Sequence, residues 1–241
     1  ASTVPSVEQL LVGLKGTYFT ALDLSSAYHH ICLTEDTKIA TTFKFQNNYY
    51  CWNVLAFGLR NSPEVFSQFL SRLLAPVASF TRNYVDDIII ASNSPEEHLE
   101  HITEVLKILS RIHLNLNVTK STFYKPEIDW VGHHLSSDTA GNVVIDPKEG
   151  IREKIKNFPV PTTKRTVQSF LGHFAYISKY IPHFSTMATP LYGLTNKEAK
   201  FDWSTECQEA FDNLLHAEEK LVTLHVFTPG NPIKLTTDAS N

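Results

Sequence analysis

Asn83-Tyr84-Val85-Asp86-Asp87-Ile88-Ile89-Ile90-Ala91 places two adjacent acids inside a very apolar run of this 241-residue chain. The β-branched and aromatic flanks read as strand, turn, strand. Burying two carboxylates beside three isoleucines is expensive unless something compensates. Bound Mg²⁺ would do so, because it is hard, keeps waters, and takes one or two carboxylates together with substrate phosphates. Taken alone, the Asp86-Asp87 pair reads more readily as a plain hairpin turn, since Asp favours turns.

Outward from this segment the pattern alternates. Tyr18 to Leu24 reads as a second buried strand, with Asp23 near its end. If the two strands are neighbours, three carboxylates converge, and two metals could clamp a phosphoryl transfer there. Ser25-Ser26-Ala27-Tyr28 reads as a turn into a short helix, and Thr41 to Leu55 as a hairpin around Gln46-Asn47-Asn48. Ser62-Pro63-Glu64 opens a helix with Ser62 as N-cap and Pro63 first. Its apolar stripe is Val65, Phe66, Phe69, Leu70, Leu73 and Leu74. Ser94-Pro95-Glu96-Glu97 opens another, in which Leu99, Ile102, Leu106 and Leu109 recur at helical spacing. Trp130 to Leu135 is a short β element. This order predicts an α+β layout, helices packed on an antiparallel sheet.

Near residue 140 the character changes. From Gly141 on the chain reads as nearly all helical, with Asp146-Pro147-Lys148-Glu149 capping one helix, Phe158-Pro159-Val160-Pro161 ending it, and further helices over Thr163 to Tyr180 and Thr205 to Leu221. Val167, Phe170, Leu171, Phe174 and Ile177 form the inward face of the middle one. Both ends of the chain read as cuts in a longer polypeptide. No run of 18 or more apolar residues is present, which argues against a membrane span. Cys32, Cys51 and Cys207 are widely spaced, which argues against a disulfide framework or thiolate zinc site and fits a reducing compartment. The net charge is −4, but Asp146 to Tyr180 holds seven basic and three acidic residues, +4, leaving −8 elsewhere. That block is either a backbone-contacting surface or a solvated helix face.

Five stretches together resemble the reverse transcriptases. Leu22-Asp23-Leu24-Ser25-Ser26-Ala27-Tyr28-His29-His30-Ile31 resembles the first catalytic motif, and Phe57-Gly58-Leu59-Arg60-Asn61-Ser62-Pro63-Glu64-Val65-Phe66 the second. Tyr84-Val85-Asp86-Asp87 resembles the Tyr-x-Asp-Asp box, Leu116 to Phe123 the fourth motif, and Trp130-Val131-Gly132-His133-His134-Leu135 the primer grip. They stand in the family order, and the likeness to gypsy-type LTR retrotransposons continues through Phe170 to Tyr176 and Phe201-Asp202-Trp203.

The resemblance implies a polymerase palm followed by a helical thumb, with 1–140 as palm and a remnant of fingers, 141–227 as thumb, and 228–241 as the start of an RNase H domain. It implies RNA- and DNA-directed DNA synthesis from dNTPs on a template with primer, using two Mg²⁺ ions, with Mn²⁺ as the alternative. Asp23 and Asp86 would be the main metal ligands and Asp87 the third, and Lys120 would act on the triphosphate as acid or charge partner. Tyr28 would exclude a 2′-hydroxyl, while Phe57, Gly58 and Ser62 line the nucleotide pocket. Trp130, Val131, Gly132 and His133 would grip the primer, and Lys154, Lys156, Lys164 and Arg165 the nucleic-acid backbone. Asp238 matches the first acid of a truncated RNase H and would be idle here. The expected setting is intracellular, in cytoplasm or a virus-like particle, within a polyprotein that also holds protease, RNase H and integrase.

Three positions depart from the pattern: His30 for Gln, Trp52-Asn53-Val54-Leu55-Ala56 for a lead-in with Met-Pro, and Arg60 for Thr. None is a metal ligand. Only 22 residues precede Asp23, too few for a full set of fingers, so the chain alone is expected to be weakly active and poorly soluble. His98 and His101, beside Glu97 and Glu100, read as a solvated helix face, and His133-His134 as a strand pair pointing to opposite faces. Two other classes remain as rivals: an inactive retroelement remnant that only binds nucleic acid, and a palm-fold nucleotide cyclase.

Overall fold

The acids sit on a four-stranded antiparallel sheet. β1 (Tyr18–Asp23), β4 (Thr81–Tyr84), β5 (Asp87–Ser92) and β6 (Thr122–Lys125) lie in the order β4-β5-β1-β6. The computed structural model describes residues 5–148, 155, 157–196, 198, 200–217 and 221–227. Ile88, Ile89, Ile90 and Ala91 are all buried, so β5 reads as an unbroken apolar run because it is a central strand covered on both faces.

Period two sends Thr20, Leu22, Ile88 and Ile90 to one face and Asp23, Asp87, Phe19 and Ile89 to the other. The first face is covered by α3 (Ser62–Leu73) and α4 (Pro95–Arg111). Leu22, Ile88 and Ile90 share a core there with Phe66, Leu70, Val105 and Leu109, each worth about 1.5–3 kcal/mol when fully buried. Also in this first unit are α1 (Val7–Leu11), α2 (Glu35–Ala40), β7 (Ile128–Trp130), two 3₁₀ turns (Ala27–His30 and Ala75–Val77) and an exposed hairpin of β2 (Phe43–Phe45) and β3 (Asn48–Tyr50). The Arg82 guanidinium joins α1 to β4, donating to the carbonyls of Leu10 at 2.7 Å, Val12 at 2.9 Å, Thr81 at 2.7 Å and Ala78.

Both helix starts were legible, with one shift. α3 begins at Ser62 itself, with Asn61 at the cap. Ser94 does cap α4, accepting from the Glu97 N–H at 3.2 Å. The inward face of α4, however, is one residue off the expected one. His98, Val105 and Leu109 are buried with Ile102 partly so, while Leu99 is 67% exposed and Leu106 37%.

That rotation overturns the reading of the two histidines as solvated. His98 is fully buried, Nε2 2.7 Å from the Thr20 hydroxyl and Nδ1 2.7 Å from the Ser92 hydroxyl. His101 reaches the same Ser92 oxygen at 2.8 Å and stacks on Phe80, with centroids 3.5 Å apart. Burial pushes the His98 pKa down, with His101 adding to the effect and Glu97 opposing it.

The chain divides into two compact units, the second made of Gly132–Leu135 and the described residues from Val144 to His225. It holds His133–Leu135 of β8 (His133–Ser137), Val144–Pro147 of β9 (Val143–Pro147) and β10 (Leu224–His225), in the order β10-β9-β8, alongside α5 (Lys164–Ile177), α6 (Phe184–Thr195) and α7 (Thr205–Ala217). Asp146 and Pro147 therefore end a strand and do not cap a helix. β9 pairs with β10, and the Asp146 carboxylate accepts from the Thr223 hydroxyl at 2.7 Å. All-helical character thus begins later than Gly141.

The inward face of α5 is as expected: Val167, Phe170, Leu171, Phe174 and Ile177 are buried. Phe170 packs on Phe174 at 4.9 Å and on Phe211 of α7 at 4.7 Å. The described part of α7 ends at Ala217. No sequence signal singled out α6, which carries Pro190 and Gly193 in its interior. Among the described residues no helix is long and apolar enough to cross a membrane.

Candidate active site

The register of β1 on β5 sets Asp23 directly opposite Asp87. Asp86 occupies the two-residue turn Val85-Asp86 between β4 and β5. Val85 has φ 56°, where Gly is the usual first central residue of such a hairpin turn. A β-branched residue there is strained by about 1–3 kcal/mol and persists only because the strands on both sides hold it. Strain of this kind, next to paired acids, is a feature of functional sites.

Asn117 to Ser121 fastens the end of β1. The Asp23 N–H donates to the Ser121 hydroxyl at 3.1 Å, and the Asn117 N–H donates to the Asp23 carbonyl at 2.8 Å. The Asn117 side chain accepts from the Thr119 hydroxyl at 2.8 Å and from the Lys120 N–H at 3.3 Å, an Asx-type turn that delivers Lys120. Ser121 was not anticipated; the Asn-x-Thr turn signature is the signal that could have found it.

Electrostatics bind these groups into one site. Burial, then Asp86, then Asp23 push the Asp87 carboxyl up to about 6, and Lys120 pulls it back. Asp86 is raised as well, by burial first, with Asp23 raising and Lys120 lowering it. Three carboxylates thus face one lysine, a shortage of positive charge that a divalent cation fits. Among the described residues no three carboxylate, histidine or cysteine side chains surround one point so as to hold an ion unaided. The full convergence expected from the sequence is therefore not seen. A cross-strand pair with a third acid beside it still suits Mg²⁺, whose other ligands are waters and phosphates.

Tyr28 lies in a 3₁₀ turn, Ala27–His30, and is 9% exposed. Its ring meets Phe57 edge-on at 4.8 Å and Phe66 at 5.2 Å. Burial and then the Asp86 charge raise its phenol pKa, so it stands close to the acids. Phe57 is 59% exposed. Gly58 has φ 84°, and an added Cβ would meet nothing within 4 Å, so backbone conformation and not crowding calls for glycine. Ser62 does not line this region: it is 1% exposed, and its hydroxyl donates to the Ala56 carbonyl at 2.7 Å, holding the loop from inside.

Residues 4–135 match the family described as Reverse transcriptase (RNA-dependent DNA polymerase). This chain belongs to the reverse transcriptase family. It is 30% identical over 240 residues to the transposon Tf2-3 polyprotein of Schizosaccharomyces pombe, covering 99% of this chain and 18% of the relative. It is 33% identical over 243 residues to the retrovirus-related Pol polyprotein from transposon 297 of Drosophila melanogaster, covering 99% and 22%. The chain thus spans about a fifth of the length of these relatives. Among solved structures it resembles the foamy viral protease-reverse transcriptase. In complex with RNA/DNA hybrid the TM-score is 0.82 at 25% identity, covering 96% of this chain and 31% of that one. In complex with dsDNA the values are 0.83, 26%, 96% and 48%.

The other positions expected of a reverse transcriptase are scattered. Trp130 is buried at the end of β7, and Val131 and Gly132 follow with φ 46° and 78°. His133 is buried at the start of β8. Lys164 is half-buried and donates to the Asn196 carbonyl at 2.8 Å, whereas Arg165 is exposed. Lys154, Lys156 and Asp238 lie outside the described residues.

Proposed function

We propose that this chain carries the polymerase site of an LTR-retrotransposon reverse transcriptase, copying RNA and DNA templates into DNA, with 1–140 as palm, 141–227 as thumb and 228–241 as the start of an RNase H domain. The observation that carries this reading is the cross-strand pairing of Asp23 with Asp87, with Asp86 in the strained turn beside them, in a chain of this family. The primer 3′-hydroxyl attacks the α-phosphate of a dNTP and pyrophosphate leaves. Asp23 and Asp86 would hold two divalent ions, Mg²⁺ by preference, with Asp87 as the weaker third ligand. Bound there, the ions neutralise charge on the attacking and leaving oxygens.

The remaining residues bind and orient. Lys120, already acting on Asp86 and Asp87, faces the triphosphate as charge partner or proton donor. Tyr28, held edge-on by Phe57 and Phe66, closes the space beneath the sugar 2′ position. The exposed Phe57 ring and the open side of Gly58 leave room for a base pair. The Val131-Gly132 turn grips the primer end. The foamy viral relatives solved with RNA/DNA hybrid and with dsDNA support template–primer as the ligand, and the transposon relatives support an intracellular polyprotein.

The test is template-directed primer extension in Mg²⁺ by wild type and Asp86→Asn. Loss of one such electrostatic group is expected to lower the rate by about 10²–10³ or more, with the fold intact by circular dichroism. Extension at the wild-type rate by folded Asp86→Asn would overturn the assignment.

A further inference from the structure

We infer that Tyr176 is a positioning residue for the primer end, acting through a clasp of its hydroxyl on Gly132 and His133; this rests on the reading of the Val131-Gly132 turn as the primer grip. Val131 and Gly132 are two consecutive residues of positive φ, 46° and 78°. A β-branched residue in that region is an outlier that persists only where its surroundings hold it.

Tyr176, near the end of α5, is such a hold. Its O–H donates to the Gly132 carbonyl, and the same oxygen lies 2.9 Å from His133 Nδ1. With its proton directed at Gly132, the phenol oxygen turns its lone pairs to the His133 ring, whose Nδ1 lies between the two tyrosine hydroxyls. One hydroxyl therefore grasps two successive residues, a carbonyl at the turn and a ring just after it. His133 Nδ1 also lies 2.8 Å from the hydroxyl of Tyr180, which is fully buried. Lys179 sits over both rings, 5.4 Å from the Tyr176 centroid and 5.3 Å from that of Tyr180. The two tyrosines differ in setting: Tyr180 is a core side chain, while Tyr176 is half-buried and reaches the turn itself.

A clasp on the backbone of a turn sets where the turn points without touching the reacting atoms. Its removal loosens the grip on the primer and leaves the metal-binding acids alone. The experiment compares Tyr176→Phe, Tyr180→Phe and Gly132→Ala in the intact reverse transcriptase, reading steady-state extension over a template–primer titration at saturating dNTP, together with Tm. Tyr176→Phe should raise KM for template–primer about ten-fold with kcat within about two-fold, and should lower Tm by less than Tyr180→Phe does. Tyr180→Phe should lower Tm and leave that KM in place. A wild-type KM in Tyr176→Phe, or a Tm loss like that of Tyr180→Phe, overturns the inference. If Gly132→Ala raises KM while Tyr176→Phe does not, the clasp fails and the primer-grip reading stands; if Gly132→Ala leaves KM unchanged, both fall.

Discussion

Asp87 is a carboxyl held against its preference. Burial and two neighbouring acids bring it up to about 6, against an unfolded value of about 3.9. The native state then holds that proton more tightly than the unfolded chain, so the ionised group destabilises the fold above pH ~6, and the penalty fades as pH falls toward ~4. Asp87→Asn is therefore expected to stabilise the metal-free protein at pH ~7.5 by about 1 kcal/mol, after discounting a half-exposed group for solvent screening. The gain should vanish by pH ~4. Thermal melts in chelator across that range check this, and an unchanged or lower Tm at neutral pH would remove the charge conflict. Tyr28 belongs to the same scale. Tyr28→Ala should lower the ratio of kcat/KM for a dNTP over its matching rNTP by about ten-fold or more. Loss of its contacts with Phe57 and Phe66 will cost stability too, about 3 kcal/mol, but the ratio is independent of the fraction folded. An unchanged ratio would exclude the gate.

Among the elements, α4 shows how a helix chooses its face. Leu99 and Leu106 are apolar, yet they lie outward, and His98 and Val105 take the inner positions. The reason is on the sheet: Thr20 and Ser92 present hydroxyls beneath the helix, and an imidazole bonds both where a leucine would bond neither. Val105→Ala should cost about 2 kcal/mol in urea melts, and Leu99→Ala less than about 0.5 kcal/mol. The reverse ranking would restore the face read from periodicity alone.

At the scale of the whole molecule, charge decides how nucleic acid would be held on the proposed reading. The chain is net negative, so backbone binding would depend on a few local cations. Lys164 is engaged at the carbonyl of Asn196, just past the end of α6, where a cation also meets the helix dipole. Arg165 is the exposed member of the pair. Arg165→Glu is expected to weaken template–primer binding about equally for all sequences and to reduce the log–log salt slope by about 0.9 per lost phosphate contact, with Lys164→Ala changing it less. A slope that stays put would make this block a solvated face.

The sequence by itself determined the features that neighbours within a few residues encode. The Ile88-Ile89-Ile90 run between turn signals read as a covered strand, the acids beside it read as a turn until the neighbouring motifs were added, and the spacing of Val167, Phe170, Leu171, Phe174 and Ile177 gave one buried stripe. Tertiary structure decided what depended on distant partners. His98 turns inward because Thr20, 78 residues away, lies beneath it. Asp146 ends a strand because β10 pairs with Val144 and Ile145 just before it and the Thr223 hydroxyl, 77 residues away, donates to its carboxylate. Ser121, 98 positions from Asp23, anchors that acid's N–H. In each case two local conformations differ by no more than a kcal/mol or so of intrinsic preference. A buried hydroxyl or strand edge left unpaired costs as much or more, so the partner, and not the local pattern, makes the choice.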